Sequence, residues 1–174
     1  MPKPLMCPPE VLNQDLQGRR VIVTGANSGI GFVTAKQLAK QGASVTLACR
    51  NESQGDARAD EIRAEFPDAD LEVRKLDLGD LSSVRVFADG YLSEHDSLHL
   101  LINNAGVMNT PEGKTTDGFE TQIGVNHLGH VLLPELLLDT LKKSAPSRVV
   151  VVSSCYHDMA MGREGMIDID DLHF

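Results

Sequence analysis

The chain has 174 residues, 41% of them hydrophobic and 24% charged, which predicts one soluble globular domain with a sizeable core. Its formal net charge of −9 and its aromatic content of 4%, without tryptophan, argue against a nucleic-acid binder, which needs a basic surface or stacked rings. Cys7, Cys49 and Cys155 are too few and too scattered for a disulfide framework, so the cytoplasm or another reducing compartment is expected.

Residues 1–17 are expected to form an N-terminal arm ahead of the folded domain of residues 18–174. The arm is polar and Pro-rich and has no apolar core like that of a signal peptide. The longest strongly apolar runs, such as residues 149–152, are far shorter than the roughly 20 residues of a membrane-spanning helix. The sequence therefore predicts neither a signal peptide nor a membrane span.

Beyond the arm, short apolar runs alternate with longer helix-like stretches. The runs are rich in Val, Leu and Ile without strict polar alternation, as in strands buried on both faces, and span residues 20–24, 44–49, 71–76, 98–103 and 148–153. The predicted helices span residues 29–41, 54–65, 82–93 and 118–143. This alternation predicts an α/β fold, a doubly wound parallel sheet (Rossmann fold) with right-handed crossovers. Residues 159–174 are expected to form a loop.

The first predicted strand ends in a glycine-rich turn that opens a helix. The turn runs Thr24-Gly25-Ala26-Asn27-Ser28-Gly29-Ile30-Gly31. Glycines in this position let the backbone approach a pyrophosphate at the positive N-terminus of the helix. The pattern favours a dinucleotide site, and a tight strand–helix turn without a ligand is the alternative.

The turn resembles the cofactor signature of the short-chain dehydrogenase/reductase family, Thr-Gly-x-x-x-Gly-x-Gly. Further family-like motifs follow in the family's order: Asp77-Leu78 after the third strand, Asn103-Asn104-Ala105-Gly106 after the fourth, Asn126 within residues 125–130, and Ser153-Ser154 at the end of the fifth. Within the family, residues 48–50, 125–130 and 144–148 look most like the retinol-dehydrogenase-like group.

The resemblance implies strand order 3-2-1-4-5 and a nicotinamide dinucleotide at the switch between strands 1 and 4. It implies hydride transfer between nicotinamide and a carbonyl or alcohol carbon of a small-molecule substrate, retinoid-like or otherwise lipophilic. Family members are often homo-oligomers. The implied cofactor-binding residues are Thr24, Gly25, Asn27, Ser28, Gly29, Ile30, Gly31, Arg50, Asp77, Leu78, Asn104, Ala105 and Gly106.

The end of the second strand bears on the choice of cofactor. An acidic residue about 20 positions after the glycines would bind the ribose 2′-hydroxyl and reject a 2′-phosphate. Arg50 stands there instead, and its guanidinium suits a phosphate. NADP(H) is therefore favoured over NAD(H), although Glu52 keeps NAD(H) as an alternative and Arg50 can also be interpreted as a solvated surface charge.

The resemblance places Ser154 and Asn126 at two of the family's catalytic positions. The family also uses a Tyr-x-x-x-Lys pair to exchange the proton, and this pair is absent, since Tyr156 has no lysine after it and Lys143 is the last lysine. The sequence is therefore expected to be a fragment of an enzyme, truncated before this pair and inactive by itself. The alternative is a natural truncation that binds dinucleotide or a partner without turnover.

No metal site is predicted. His127 and His130 lie three residues apart but lack further ligands, and the resemblance assigns their segment to packing around Asn126. Cys155 is interpreted as structural. The acidic residues Asp168, Asp170 and Asp171 lack the glycine and the spacing of a calcium loop.

Overall fold

Five strands form one parallel sheet in the order β3-β2-β1-β4-β5. In the computed structural model, which describes residues 7–154, the strands are β1 (Arg20–Thr24), β2 (Ser44–Cys49), β3 (Leu71–Lys75), β4 (Leu100–Asn103) and β5 (Arg148–Val151). The predicted α/β fold and strand order are confirmed. Thr24 pairs with Ala48, and Val23 with Ile102, so β1, β2 and β4 all end at the same edge of the sheet.

Helices lie between the strands close to the predicted positions, and one further short helix, which the sequence did not predict, precedes the first strand. They are α1 (Pro9–Leu12), α2 (Gly29–Lys40), α3 (Glu52–Glu65), α4 (Leu81–Glu94), α5 (Thr121–Ile123) and α6 (Gly129–Lys143). The prediction of one continuous helix over residues 118–143 is wrong. A π-helical turn (Gly124–Leu128) separates α5 from α6, and the N–H of Gly129 donates to the carbonyl of Gly124 in the i→i+5 pattern.

The sheet has a separate hydrophobic core on each face. Side chains alternate along β1, so that Val21 and Val23 point to one face and Ile22 to the other. The first core packs against α2 and α3 through Ala35, Ala39, Ala59 and Ile62. The second packs against α4 and α6 through Val84, Phe87, Leu133 and Leu137. Helices on both faces make the sheet doubly wound, as predicted.

The fifth strand departs from the expectation that every strand is buried on both faces. Val149, Val150 and Val151 are 43%, 44% and 63% exposed. The reason is topological, because β5 is an edge strand that pairs only with β4 within residues 7–154. Its apolar side chains match those of a buried strand, but no described element covers them.

The expected N-terminal arm contains a short helix that packs against the end of α2. The side-chain amide of Gln41 donates to the carbonyls of Val11 and Gln14 at 3.0 Å each. The N–H of Leu16 donates to the Gln41 carbonyl at 2.8 Å. These bonds hold the described part of the arm, from residue 7, on the domain. None of the helices in the described range has the length and apolarity to cross a bilayer.

Candidate functional site

A cleft of about 540 Å³ opens at the carboxyl ends of β1, β2 and β4. We call it the carboxyl-edge cleft. Twelve of the thirteen predicted cofactor-binding residues line it, and Asn51, Gln54 and Val107 join them. The twelve are Thr24, Gly25, Asn27, Ser28, Gly29, Ile30, Arg50, Asp77, Leu78, Asn104, Ala105 and Gly106. Residues that lie up to about 80 positions apart in the sequence thus meet at one edge of the sheet, as expected for a doubly wound fold.

The thirteenth residue, Gly31, is packed inside the glycine-rich turn. A Cβ atom at Gly31 would lie 2.5 Å from both the Asn104 amide nitrogen and the Gly25 carbonyl oxygen. At Gly29, by contrast, a Cβ atom would meet nothing within 4 Å, although a φ of +53° disfavours most other residues there. Gly31 therefore lets α2 approach the loop after β4, whereas Gly29 leaves open space above the turn.

The N-terminus of α2 points into the site without a side-chain cap. Ser28, the residue before the helix, has an extended backbone and makes no capping hydrogen bond. The first N–H groups of a helix have no partner within the helix, and its dipole attracts negative charge there. The turn therefore offers backbone donors to an anion in the cleft.

Thr24 connects the two sides of the cleft. Its hydroxyl oxygen accepts hydrogen bonds from the N–H groups of Asn104 and Ala105, both at 2.9 Å. The Asn104 side-chain amide donates to the Thr24 carbonyl, also at 2.9 Å. The Thr24 side chain is fully buried. The end of β1 and the loop after β4 are thus held as one unit.

Arg50 lines the cleft just after the end of β2, where this strand leads into α3. Its side chain is exposed and forms no ion pair with a residue in the range 7–154. Asn51 accepts a hydrogen bond from the Gln54 N–H and so caps α3. Glu52, whose carboxylate was the reason to keep NAD(H) as an alternative cofactor, is not among the residues that line the cleft. Arg50 is the only lysine or arginine among the described residues that line the cleft.

Asp77 and Leu78 form the wall of the cleft beyond the end of β3. The Asp77 carboxylate accepts a hydrogen bond from the Gly79 N–H at 2.9 Å. The Asp77 N–H donates to the Ser83 hydroxyl at 3.0 Å, which ties this wall to the first turn of α4. The backbone of the wall is thereby fixed in position.

Asn126 lies in the π-helical turn beside the cleft. Its side chain forms two hydrogen bonds with the backbone of Val107, accepting from the N–H and donating to the carbonyl, each at 2.8 Å. This pair of bonds fixes both ends of the amide. The sequence identified Asn126 as a site residue, and the structure places it against a residue of the cleft wall.

His130 also contributes to the site, which the sequence did not predict. Its Nε2 atom lies 3.0 Å from the Thr24 hydroxyl, and its Nδ1 atom lies 3.2 Å from the Asn126 carbonyl oxygen. Burial lowers the pKa of His130, and the Asn126 carbonyl opposes this effect. The sequence could not predict the contact of His130 with Thr24, because the two residues are far apart in the chain and meet only in the folded domain.

Ser154, the other candidate catalytic residue, is exposed and lies beyond the end of β5. Tyr156, Cys155 and the acidic residues Asp168, Asp170 and Asp171 lie outside the described residues, as does the predicted loop of residues 159–174. The structure thus positions Asn126 against the cleft and gives no account of a proton donor.

A second polar cluster lies away from the cleft, on the edge strand β3. Potential metal-ligating atoms of Glu72, Glu94 and His95 lie within 4.8 Å of one another. Arg74 forms ion pairs with both carboxylates, and His95 lies 3.0 Å from Glu72. Burial raises the pKa of Glu72, but hydrogen bonds from Arg74 and His95 outweigh it and lower the pKa. A guanidinium between the carboxylates favours a charge network over a metal site.

Comparisons with known proteins agree with this architecture. The profile of the short chain dehydrogenase family matches residues 19–166. Human retinol dehydrogenase 12 is 54% identical over 160 residues, which cover 92% of this chain and 49% of that protein. Human retinol dehydrogenase 11 is 58% identical over 144 residues, covering 83% of this chain and 45% of that protein. The chain spans about half the length of these relatives.

Solved structures show the same arrangement of strands and helices. An uncharacterized protein from Mycobacterium Paratuberculosis superposes with a TM-score of 0.77 at 46% identity, covering 92% of this chain and 53% of that one. RhlG of Pseudomonas aeruginosa, solved as an active-site complex with NADP, superposes with a TM-score of 0.72 at 27% identity, covering 86% and 58%. The family match, the relatives and the shared fold together establish that the chain belongs to the short-chain dehydrogenase/reductase family and is similar to its retinol dehydrogenases.

Proposed function

We propose that the chain is the dinucleotide-binding part of an NADP(H)-dependent oxidoreductase. The reaction moves a hydride between nicotinamide and the carbonyl or alcohol carbon of a small lipophilic substrate, retinoid-like in its general character. The observation that carries the proposal is the carboxyl-edge cleft. An uncapped helix N-terminus and the Arg50 guanidinium, which has no ion pair within the described part of the chain, line one cavity there. Support also comes from the names of the retinol dehydrogenase relatives and from the NADP complex of RhlG.

The residues of the cleft fit a dinucleotide phosphate in chemistry and in shape. The open space above Gly29 leaves room for a pyrophosphate next to the backbone donors of α2. Arg50 would bind the 2′-phosphate, and no carboxylate takes its place at the end of β2. Asp77 would hold the adenine, as the family resemblance implies, and Leu78 would contact the cofactor beside it. The bound cofactor would supply or accept the hydride.

Binding measurements with the chain itself test the choice of cofactor. We expect NADPH to bind more tightly than NADH, as measured by nicotinamide fluorescence or calorimetry. Arg50→Ala should weaken NADPH binding about ten- to hundredfold, because a charge-assisted bond is lost, and should leave NADH binding nearly unchanged. Arg85→Ala removes an exposed arginine of α4 that does not line the cleft and serves as the matched control. Equal affinities of the unmutated chain for NADPH and NADH would overturn the NADP(H) assignment.

The second candidate function is dinucleotide binding without turnover. The observation that favours it is the absence of a Tyr-x-x-x-Lys pair, since general acid–base assistance contributes about 10²–10⁴-fold to such reactions. We therefore expect the chain to bind NADPH without measurable reduction of a panel of aldehydes that includes retinaldehyde. Clear turnover would show that another residue supplies the proton, and loss of turnover in Tyr156→Phe would then identify Tyr156 as that residue. Homo-oligomer formation, common in the family, remains a proposal for the whole protein.

A further inference from the structure

A single buried imidazole touches both the glycine-rich turn and the π-helical turn. The side chain of His130 is 6% exposed and lies between Thr24 at the end of β1 and Asn126 in the π-helical turn. The geometry points to His130 as a positioning residue that couples the Asn126 turn to the dinucleotide-binding turn. This inference rests on the proposed dinucleotide function and adds a residue that the function does not by itself require.

The hydrogen bonds of Thr24 determine which nitrogen of His130 carries the proton. The Thr24 hydroxyl oxygen already accepts from the N–H groups of Asn104 and Ala105, so both of its lone pairs are in use. It can therefore bond to Nε2 of His130, 3.0 Å away, only by donating its own hydrogen. The competing acceptor, the Ile102 carbonyl, lies farther away at 3.4 Å.

It follows that Nε2 is an acceptor and that Nδ1 carries the hydrogen. Nδ1 then donates to the carbonyl oxygen of Asn126 at 3.2 Å. In a regular α-helix, that carbonyl would accept from the backbone N–H of residue 130. One neutral tautomer of His130 thus satisfies both contacts, whereas the other tautomer satisfies neither.

The groups that face the imidazole are all uncharged. Among the described residues, its hydrogen-bond partners are the Thr24 hydroxyl at the end of β1 and the Asn126 carbonyl in the π-helical turn. The backbone carbonyl of His130 accepts separately from the side-chain amide of Asn103 in β4 at 3.2 Å. Burial lowers the pKa of His130, in agreement with a neutral ring. A second proton on the ring would point an N–H at a hydroxyl oxygen that has no lone pair left.

The consequence is a continuous path of contacts from the glycine-rich turn to Val107. Thr24 is bonded to His130, His130 to the backbone of Asn126, and the Asn126 side chain to Val107, which lines the cleft. Loss of the imidazole should therefore loosen Val107 and Asn126 relative to the glycine-rich turn. The effect should reach the bound nucleotide although His130 itself does not line the cleft.

The direct test is the tautomer of His130 in the unmutated chain, read from the ¹⁵N shifts of its ring by NMR at neutral pH. We expect the neutral Nδ1–H form. A ring that carries its proton on Nε2, or on both nitrogens, would overturn the proposal. This readout does not depend on nucleotide binding, so it stands even if the proposed cofactor function fails.

Three variants then separate the two bonds. His130→Leu keeps an apolar side chain and removes both bonds, His130→Asn has the length to keep a donor near the Nδ1 position, and His130→Gln has the length to keep an acceptor near the Nε2 position. His127→Gln changes an exposed histidine one turn earlier and is the matched control. The readouts are NADPH affinity and hydrogen exchange of the Val107 amide, whose acceptor is the Asn126 side chain.

We expect His130→Leu to weaken NADPH binding about three- to tenfold and to speed exchange at Val107, because two modest hydrogen bonds are lost. His130→Gln should speed exchange at Val107 more than His130→Asn does, and His127→Gln should change neither readout. If a folded His130→Leu chain shows normal affinity and normal exchange, the proposal is wrong. If His130→Leu does not fold, the Asn and Gln variants decide by the same comparison, and equal exchange at Val107 in both contradicts the coupling.

Discussion

At the scale of single residues, two glycines of the same turn have different physical reasons to be glycine. Gly31 is surrounded by protein, and a Cβ atom there would collide with Gly25 and Asn104 at 2.5 Å. Gly29 faces open space and has a positive φ, which Asn tolerates better than other residues do. The family motif treats both positions alike, but the structure assigns one to internal packing and the other to the cleft.

This difference predicts opposite behaviour of two variants. Gly31→Ala should lower stability, since backbone atoms would have to move to admit the methyl group, and nucleotide binding should fall with it. Gly29→Asn should stay folded with a melting temperature near that of the unmutated chain, yet bind NADPH much more weakly because its side chain enters the space above the turn. Circular dichroism and fluorescence titration distinguish the two. A Gly29→Asn chain that binds NADPH normally would show that the open space is not the pyrophosphate site.

The sequence predicted most of the residues that line the cleft, but it gave no sign of the role of His130, which lies outside the lining. The cofactor motifs are local patterns, so Thr24, Arg50 and Asn104 could be recognised from their neighbours in the chain. The role of His130 depends on contacts with Thr24, 106 positions away, and with the carbonyl of Asn126. In the sequence, a histidine within an apolar helix is equally compatible with simple packing, and no local signal distinguishes the two.

At the scale of elements, the strand and helix positions could be predicted to within a few residues, except for the short helix α1 and for residues 118–128. Buried strands leave continuous apolar runs in the sequence and amphipathic helices leave a periodic pattern, whereas a π-helical turn leaves neither. Here the turn forms where Asn126 bonds to Val107, 19 positions away. Such a contact belongs to tertiary structure, so the periodicity of residues 118–143 indicated only a helix.

Two histidines connect elements of the domain, and their lowered pKa values predict how the free energy of unfolding depends on pH. Nδ1 of His99 accepts from the Arg20 N–H at 3.0 Å and joins the start of β4 to β1, while His130 joins α6 to the end of β1. Burial lowers the pKa of both, and Arg19 and Arg20 lower that of His99 further. Both histidines are therefore more easily protonated in the unfolded chain than in the folded one.

The sign follows from proton linkage. When the pH is above about 6.5, the ordinary pKa of a histidine in an unfolded chain, both imidazoles are neutral in the folded and the unfolded state. Their contribution to the free energy of unfolding is then fully present. As the pH falls through that value the unfolded state binds protons that the folded state does not, so the free energy of unfolding should decrease. Urea unfolding between pH 7.5 and pH 5.5, conditions chosen to lie above the titration of carboxylates, measures this slope. His130→Gln should reduce the slope and the exposed control His127→Gln should not. A slope that is unchanged in His130→Gln would show that His130 has no such role in stability.

At the scale of the whole molecule, the two edges of the sheet differ in how they meet solvent. The outer edge at β3 carries the charge network of Glu72, Arg74, Glu94 and His95. Charged side chains on an edge strand discourage pairing with another chain. The edge at β5 carries valines that are exposed on both faces and no comparable network among the described residues. Within residues 7–154, only the β3 edge therefore carries charges that protect it against association.

Because the β5 edge is exposed and apolar, we expect the chain to associate with itself as its concentration rises. Val149 and Val151 lie on one face of β5 and Val150 on the other, and Val152 follows the strand. All four are between 43% and 63% exposed. The free backbone groups of an edge strand and an adjoining apolar patch both favour pairing with a second chain.

Sedimentation velocity over a wide range of concentration should show a monomer giving way to larger species, and Val150→Lys should shift this change to higher concentration by adding charge to the edge. Val86→Lys is the matched control, because Val86 is 70% exposed but lies on α4, away from the β5 edge. A chain that remains monomeric throughout, or that responds equally to both substitutions, would show that association does not occur through β5. A response to Val150→Lys alone would assign the contact to this strand, because both variants add the same charge and differ only in where they place it.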